Sequence, residues 1–250
     1  MSATVNRTGG APVYNLLARL GRAIWPPRCL LCESAGSGGL DLCDLCLAAL
    51  PYNRRACLRC AIPIAGSDNL NAHCVELICG QCLRRPPPQA HARAAFVYGF
   101  PLDRLLPRAK FHGDLASTRL LAALMAGALA DAERPQALVP VPLHIGRLRE
   151  RGYDQALELA RPLAHRLGIP LRDDLLRRTR ATAAQSRLDA GQRRRNLRGA
   201  FAVRERCELP AHVALVDDVM TTGATAHAAA STLLRAGVAR VDVWVCARVP

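Results

Sequence analysis

Beyond residue 90, the apolar residues fall into two kinds of segment that alternate along the chain. Short continuous apolar runs predict buried strands, and longer segments with helical spacing predict helices. The predicted strands cover residues 94–100, 137–141, 213–216 and 241–246, and the predicted helices cover 115–131, 154–167 and 224–236. This alternation predicts an α/β fold with a parallel sheet and flanking helices. Pro107 and Pro162 fall inside helical patterns, where they predict breaks or kinks.

The first 90 residues lack this alternation. Residues 1–12 are polar and are expected to be mobile, and apolar positions over 13–24 follow the spacing of a short amphipathic helix. That helix is expected to pack on the chain's own core, with a membrane surface or a partner as the alternative. A stiff Arg-Arg-Pro-Pro-Pro linker occupies 84–88. The predicted domains are an N-terminal segment and helix (1–28), a Cys-rich module with its linker (29–88) and an α/β domain (89–250).

Charge and hydropathy indicate what kind of partner the protein binds and where in the cell it is located. In its 250 residues, Lys and Arg total 34 against 20 Asp and Glu, a net charge of +14. This excess predicts an acidic partner, and Lys110 is the one basic residue that is not arginine, the side chain suited to phosphate. No apolar run is long and uncharged enough to cross a membrane, and Arg19 and Arg22 interrupt the N-terminal apolar run of a candidate signal peptide. A cytoplasmic location is therefore expected.

The cysteines predict metal binding. The chain has 11 of them, an odd number that argues against a disulfide framework. Eight form four CxxC pairs: Cys29 and Cys32, Cys43 and Cys46, Cys57 and Cys60, and Cys79 and Cys82. Two such pairs complete the tetrahedral thiolate shell of a structural zinc. We expect two zinc sites built from sequential pairs; interleaved pairing and an Fe–S cluster are the alternatives.

The segment 213–225 carries the strongest signal for a ligand. An apolar strand leads into Asp217 and Asp218, and then into a small turn that opens a helix near Ala224. Gly223 lets the backbone approach an anion, and the helix start presents free N–H groups. The turn that would hold a phosphate consists of Thr221, Thr222, Gly223, Ala224 and Thr225. Carboxylates lining the same pocket would repel the phosphate, so both are expected to face sugar hydroxyls or a divalent cation.

This strand, acidic pair and Thr-Thr-Gly-Ala-Thr turn resemble the phosphoribosyl pyrophosphate (PRPP) motif of type I phosphoribosyltransferases. The resemblance implies that Asp217 and Asp218 contact the ribose and that residues 221–225 bind the 5′-phosphate. It also implies a pyrophosphate-binding loop after an early strand. The arginines available for that loop are Arg147, Arg149 and Arg151; for any one of them, a solvated basic face is the alternative.

A third basic element covers residues 172–206. Eleven arginines against four acidic residues give this segment a net charge of +7, half of the total excess. Such a run can follow a nucleic-acid backbone, close over a substrate as a mobile loop, or form a solvated helix face. Its densest part contains the candidate nucleic-acid contacts Arg193, Arg194, Arg195 and Arg198.

The order of these elements resembles the ComF family, a double zinc ribbon followed by a phosphoribosyltransferase-like domain. The segments that carry the resemblance are Pro26-Pro-Arg-Cys29, Lys110-Phe-His-Gly-Asp114, Val139-Pro-Val-Pro-Leu143, Arg151-Gly-Tyr-Asp-Gln155, Gln185, 193–201 and 216–225. It implies handling of single-stranded DNA during natural transformation, beside a helicase-like partner.

The alternatives are an active transferase that displaces pyrophosphate from PRPP with Mg²⁺, and a zinc-ribbon adaptor that senses a phosphorylated ligand. The catalytic candidates for a transferase are Asp217, Asp218 and Lys110, where Lys110 would bind phosphate or act as a general acid. The acceptor remains unassigned.

Overall fold

The computed structural model describes residues 26–66, 77–111, 113–180, 199–204 and 207–250. The chain divides into two compact units, Met1–Ala49 and Leu50–Pro250. The first cysteine cluster lies in the first unit, and the second unit contains the other cluster and the sheet. The domain boundary expected at residue 88 stays a prediction, and the helix predicted at 13–24 lies outside the described residues.

Within the described ranges, seven helices and six strands form. The helices are α1 (Asp44–Ala48), α2 (Gly80–Arg84), α3 (Leu102–Phe111), α4 (Leu115–Ala128), α5 (Ile145–Arg151), α6 (Gln155–Leu167) and α7 (Ala224–Ala236). The strands are β1 (Ala92–Val97), β2 (Ala137–Pro140), β3 (Leu176–Arg178), β4 (Phe201–Val203), β5 (His212–Met220) and β6 (Arg240–Arg248). No described helix has the length and apolar character needed to cross a membrane.

Four strands form one parallel sheet in the order β1-β6-β5-β2. The register pairs Val216 of β5 with Pro140 of β2 on one side and with Trp244 of β6 on the other. Strands β3 and β4 form a separate antiparallel pair. The prediction of a parallel α/β sheet with flanking helices is therefore confirmed. Because all four strands run the same way, their carboxyl ends meet at one edge, where such sheets bind ligands.

Helices cover both faces of the sheet, which explains the continuous apolar runs of its central strands. Val213 and Leu215 of β5 belong to a buried cluster with Ala229, Ala230 and Leu233 of α7. Alternate residues point to the opposite face. There Leu159 of α6 and Leu121 of α4 are buried, so one face is covered by α7 and the other by α4 and α6.

The structure differs from two local predictions, fully in the end of one strand and in part at two prolines. Strand β5 does not stop at Val216 but continues to Met220, because Asp217 pairs with Val245 of β6 and Met220 pairs with Arg248. No break forms at Pro107 or Pro162, because both residues lie inside continuous helices, α3 and α6; a kink at either proline stays a prediction. Each of these helices buries an apolar face, with Leu105 and Leu106 in α3, which holds it together despite the lost N–H group.

The second cysteine cluster packs beside strand β1. The chain before the cluster lies along β1, where Asn53 N–H donates to the Ala95 carbonyl at 3.0 Å and Val97 N–H donates to Pro51 at 2.8 Å. The rings of Tyr52 and Phe96 pack with their centroids 5.2 Å apart. Residues 51–53, which lead into the second cysteine cluster, therefore cover the outer edge of the sheet at β1, where backbone groups would otherwise be unpaired.

Candidate phosphate and metal sites

The turn that the sequence predicts to bind phosphate, residues 221–225, connects the end of β5 to the start of α7 and is called the phosphate loop after that prediction. Gly223 has φ +75°, and a Cβ there would lie 2.7 Å from Met220 Cε and 2.9 Å from His227 Nε2. A side chain at position 223 would therefore be strained by the backbone conformation, and the ends of the Met220 and His227 side chains would have to move away from it. The turn borders an open cleft of about 300 Å³ lined by Asp217, Val219, Met220, Thr221, Gly223, Ala224, Thr225, Ala226 and Val245. Thr222 is exposed, and its hydroxyl accepts a hydrogen bond from Ala224 N–H at 3.4 Å.

Asp217 and Asp218 point to opposite faces of the sheet because both lie inside strand β5. Asp217 lines the phosphate-loop cleft. Burial raises its pKa well above the ordinary value, and the neighbouring Asp218 carboxylate raises it further. A higher pKa favours the protonated form, which weakens the repulsion between Asp217 and a bound phosphate.

Asp218 faces a second cleft, on the side of α3 and α6. Its Oδ2 lies 2.8 Å from Lys110 Nζ at the end of α3. The cleft measures about 270 Å³ and is lined by Leu106, Ala109, Lys110, Thr118, Leu121, Gln155, Leu159 and Asp218. Asp217 and Asp218 thus line two separate clefts. Lys110 lies in the cleft of Asp218 and does not line the cleft at the phosphate loop.

The sequence motifs at 110–114 and 151–155 contact each other directly. The Tyr153 hydroxyl donates to the Ala109 carbonyl and accepts from Gly113 N–H, both at 3.2 Å. The Gln155 side chain donates to the Lys110 carbonyl at 3.4 Å. These bonds fix the end of α3, and with it the ammonium group that pairs with Asp218.

Two aspartates hold the helices behind these motifs. Asp114 caps α4 by accepting from Ala116 and Ser117 N–H, and Asp154 caps α6 by accepting from Ala156 and Leu157 N–H. Asp154 also accepts from Leu143 N–H at 2.8 Å, which ties α6 to the segment after β2. Both residues therefore have structural roles that explain their places in the motifs.

The three arginines expected to bind pyrophosphate lie on α5. Arg149 is exposed, whereas Arg147 and Arg151 are half-buried. The helix follows β2, and the His144 side chain caps it by accepting from Gly146 N–H at 3.1 Å. The candidate nucleic-acid contacts Arg193, Arg194, Arg195 and Arg198 lie outside the described residues.

Arg178 of β3 belongs to this region and was missed from sequence. Its backbone forms a bridge with His144, and its guanidinium lies over Phe201, 5.5 Å from the ring centroid. Burial lowers the pKa of Arg178, the charge of Arg147 lowers it further, and the Asp217 carboxylate acts in the opposite direction. Arg178 therefore lies within electrostatic reach of both Asp217 and Arg147. Arg178 lies in a three-residue strand, too short to stand out in the hydrophobic pattern.

The eight CxxC cysteines gather into two groups of four in sequential order, Cys29, Cys32, Cys43 and Cys46, and Cys57, Cys60, Cys79 and Cys82. Within each group all sulfur atoms lie within 4.8 Å of one another. The Cys32–Cys43 and Cys60–Cys79 sulfur separations are 3.6 and 3.7 Å. A tetrahedral ion with metal–sulfur bonds of about 2.3 Å needs about 3.8 Å. The two groups fit two structural zinc sites, and interleaved pairing is excluded.

Thiolates bind zinc, and backbone donors favour the thiolate form of one ligand in the second group, Cys57. Burial acts to raise the pKa of Cys57, but N–H groups of Cys79, Arg59 and Cys60 outweigh it and lower the pKa to about 7. The Cys79 N–H donor lies 3.3 Å from the Cys57 sulfur. The backbone around Cys57 thus favours its thiolate, whereas burial raises the pKa of Cys60 to about 11 and also raises the pKa of Cys82.

Comparison with known proteins agrees with this architecture. The family model of the double zinc ribbon domain matches residues 20–83, which include both cysteine groups. The DNA utilization protein YhgH of Salmonella typhimurium is 36% identical over 233 residues, 89% of this chain and 97% of the relative. Competence protein F of Haemophilus influenzae is 38% identical over 178 residues, 68% and 78% of the two chains.

A more distant relative is competence protein ComFC of Streptococcus pneumoniae, 27% identical over 157 residues, 62% of this chain and 67% of the relative. The sequence matches extend well beyond the zinc ribbon into the α/β unit. With two structural cysteine centres, a parallel sheet and relatives of this identity and coverage, the chain belongs to the ComF family.

Proposed function

We propose that this protein acts in DNA uptake or utilization, and that its α/β unit binds a phosphorylated ribose such as PRPP. The names of the relatives support the first part. The phosphate-loop cleft, with Gly223 at positive φ and Asp217 beside it, carries the second part. A 13-residue helix starts at this turn and its first residues line the cleft, so the positive end of the helix dipole faces a ligand bound there.

Each part of the ligand has a matching part of the cleft in this proposal. Backbone N–H groups of residues 221–225 and the hydroxyls of Thr221 and Thr225 bind the 5′-phosphate. Asp217 accepts hydrogen bonds from ribose hydroxyls, which a carboxyl group does in either protonation state. Arg147 and Arg178 compensate the charge of the pyrophosphate. If Mg²⁺ accompanies PRPP, the carboxylate oxygen atoms are its ordinary protein ligands.

Single-stranded DNA is the proposed macromolecular ligand. Arg149, Arg177 and Arg180 are exposed, and strand β3, which contains Arg177, lies beside the start of α5. Together with the arginine run at 193–198 they give the protein phosphate contacts that do not depend on base sequence. The helicase-like partner and the cytoplasmic location remain predictions.

Calorimetry with PRPP and Mg²⁺ tests the ribose-phosphate site. The wild type should bind, and the variant with Asp217→Asn and Asp218→Asn should lose binding. Asp173→Asn, at an exposed position, is the matched control and should bind as the wild type does. Absence of PRPP binding by the zinc-loaded wild type would refute this part of the proposal.

Oligonucleotide binding at several salt concentrations tests the DNA part. Affinity should fall steeply as salt rises, because each phosphate contact releases counterions. Reversing the charge at Arg193, Arg194 and Arg195 should make the slope shallower. Binding that does not respond to salt would contradict the proposal.

Transferase activity is the second candidate, and the placement of Arg178 within electrostatic reach of both Asp217 and Arg147 favours it. In that reaction the bond from the ribose anomeric carbon to pyrophosphate breaks and a bond to the acceptor forms. Cationic groups would stabilise the negative charge that develops on pyrophosphate. The assay is pyrophosphate release from PRPP in the presence of nucleobases or amines. If the protein binds PRPP but releases no pyrophosphate with any acceptor, the transferase candidate fails and only the binding function stands.

A further inference from the structure

One buried arginine connects the second cysteine group to the phosphate loop. Arg248, at the end of β6, is only 7% exposed. Its Nε donates to the carbonyl of Cys60 at 2.9 Å, and its Nη1 donates to the carbonyl of Met220 at 3.2 Å and to that of Val249. A single rigid guanidinium therefore contacts a residue of the cysteine cluster and the residue directly before the phosphate loop.

One of these contacts is with a candidate zinc ligand, and the other is with a residue that lines the phosphate cleft. Cys60 provides one of the four sulfur atoms of the second group. Met220 ends β5 and lines the phosphate cleft, and its methyl group lies 2.7 Å from where a Cβ at position 223 would be. The Met220 carbonyl also accepts from Val249 N–H at 3.0 Å, so Arg248 and Val249 each donate one hydrogen bond to it. A shift of Cys60 is thus transmitted over two hydrogen bonds to the base of the loop.

Charge explains why an arginine can be buried here. Four thiolates around one Zn²⁺ leave a net charge of −2, which needs a nearby cation in a low-dielectric environment. Arg248 supplies a cation next to the cluster, because its Nε donates to the Cys60 carbonyl at 2.9 Å. The loaded cluster thus stabilises the guanidinium, and the guanidinium in turn stabilises the cluster.

We propose that Arg248 is a positioning residue that couples zinc binding at Cys57, Cys60, Cys79 and Cys82 to ligand binding at residues 221–225. Zinc holds Cys60, Cys60 and Arg248 hold Met220, and Met220 sets the backbone of the loop. By linkage, each ligand strengthens the binding of the other by the same factor. This coupling rests on the proposed function of the loop as a phosphate site.

The test compares two buried side chains that hold the same ribbon. Arg248→Met removes the charge and both donors, whereas Gln89→Met removes only the bond from Gln89 Nε2 to the Arg59 carbonyl, 2.8 Å long. Gln89 is fully buried and contacts the ribbon without a described bond to the loop. Zinc content, PRPP affinity by calorimetry and amide hydrogen exchange over 220–226 are measured on each full-length protein.

At equal zinc content, Arg248→Met should bind PRPP at least about fivefold more weakly than the wild type, the low end of allosteric couplings. Amide exchange over 220–226 should be faster, as it should be in the wild type after zinc is removed. Gln89→Met should keep the wild-type PRPP affinity. Arg248→Lys, which keeps the charge but not the two-armed contact, provides a milder change if the methionine variant does not fold.

The two proposals fail in different ways. Unchanged PRPP affinity and unchanged exchange in the Arg248 variants at full zinc content would overturn the coupling and leave the site intact. A wild type that does not bind PRPP would overturn the proposed function. The exchange measurement would then still decide whether zinc loading orders residues 220–226, because it requires no ligand.

Discussion

The ammonium group of Lys110 lies 2.8 Å from the carboxylate of Asp218, joining the end of α3 to the interior of β5. About a third of the Lys110 side chain is exposed, and less of Asp218 is. The pair therefore lies between a surface ion pair and a buried one. It also closes one side of the cleft that lies across the sheet from the phosphate loop.

Lys110→Met should destabilise the protein because the half-buried Asp218 loses its partner. The free energy of unfolding should fall by about 1–3 kcal/mol, between the values typical of an exposed ion pair and of a buried one. Lys110→Arg keeps the charge and should recover most of this loss. Urea denaturation measures both, and equal stability of the methionine variant and the wild type would show that the pair contributes nothing.

Asp217→Asn should raise stability at neutral pH. The folded-state pKa of Asp217 is raised above its ordinary value of 3.8. Between these two values the folded chain keeps a proton that the unfolded chain has lost, so stability falls as pH rises through this window. The asparagine variant should lack that fall. Melting temperatures across this window measure the effect, and parallel curves for variant and wild type would contradict it; Asp173→Asn is the control.

Tyr153→Phe should loosen the contact between the two sequence motifs. The hydroxyl makes two hydrogen bonds, each worth about 1 kcal/mol, and the ring remains. We expect a loss of about 1–2 kcal/mol and weaker binding of ligands that depend on Lys110. Tyr98→Phe is the matched control, because the Tyr98 hydroxyl makes no hydrogen bond within the described residues. Similar denaturation midpoints for the two variants would argue against this role.

Gly223→Ala should weaken the phosphate site. An alanine at φ +75° is strained by about 1–3 kcal/mol, and its Cβ would overlap Met220 and His227. Gly127→Ala, inside α4 with open space around it, should instead be neutral or stabilising by up to about 1 kcal/mol. Thermal denaturation and PRPP calorimetry compare the two. Wild-type affinity in the Gly223 variant would exclude close approach of the ligand to this turn.

The two zinc centres should respond differently to loss of one ligand. Cys43→Ser should expose residues 26–49 to proteolysis, because among the described residues of that unit the one buried leucine is Leu42. Cys79→Ser should leave its ribbon more resistant, because Ala92 N–H and Gln89 still bond to the ribbon backbone. Zinc content with limited proteolysis tests this, and equal cleavage of both ribbons would contradict it.

The sequence predicted the features that depend on local patterns. The strand and helix alternation, the span of α7 and the grouping of the CxxC pairs all rest on spacings within a few dozen residues. The turn at 221–225 was recognisable because Gly223 and its neighbours have few structural uses other than a tight backbone turn.

Features that depend on distant partners were not predictable in this way. Strand β5 extends to Met220 because β6 continues beside it, and the pattern of β5 alone shows only the apolar part. Arg178 reaches the site through a bridge to His144, 34 positions earlier in the chain. Nothing in the sequence distinguishes Arg248 from the other arginines; its position between Cys60 and Met220 is visible only in the structure.

Because Asp217 and Asp218 point to opposite faces of the sheet, the function of each depends on its register in strand β5. Each residue added to or removed from the stretch between Val213 and Asp217 would exchange the faces of every position that follows. The carboxylate now beside the threonines would turn toward Lys110, and its neighbour would turn toward the threonines. Evolution can therefore substitute residues along this strand one at a time, but it can change the length of the strand only at the cost of both clefts together.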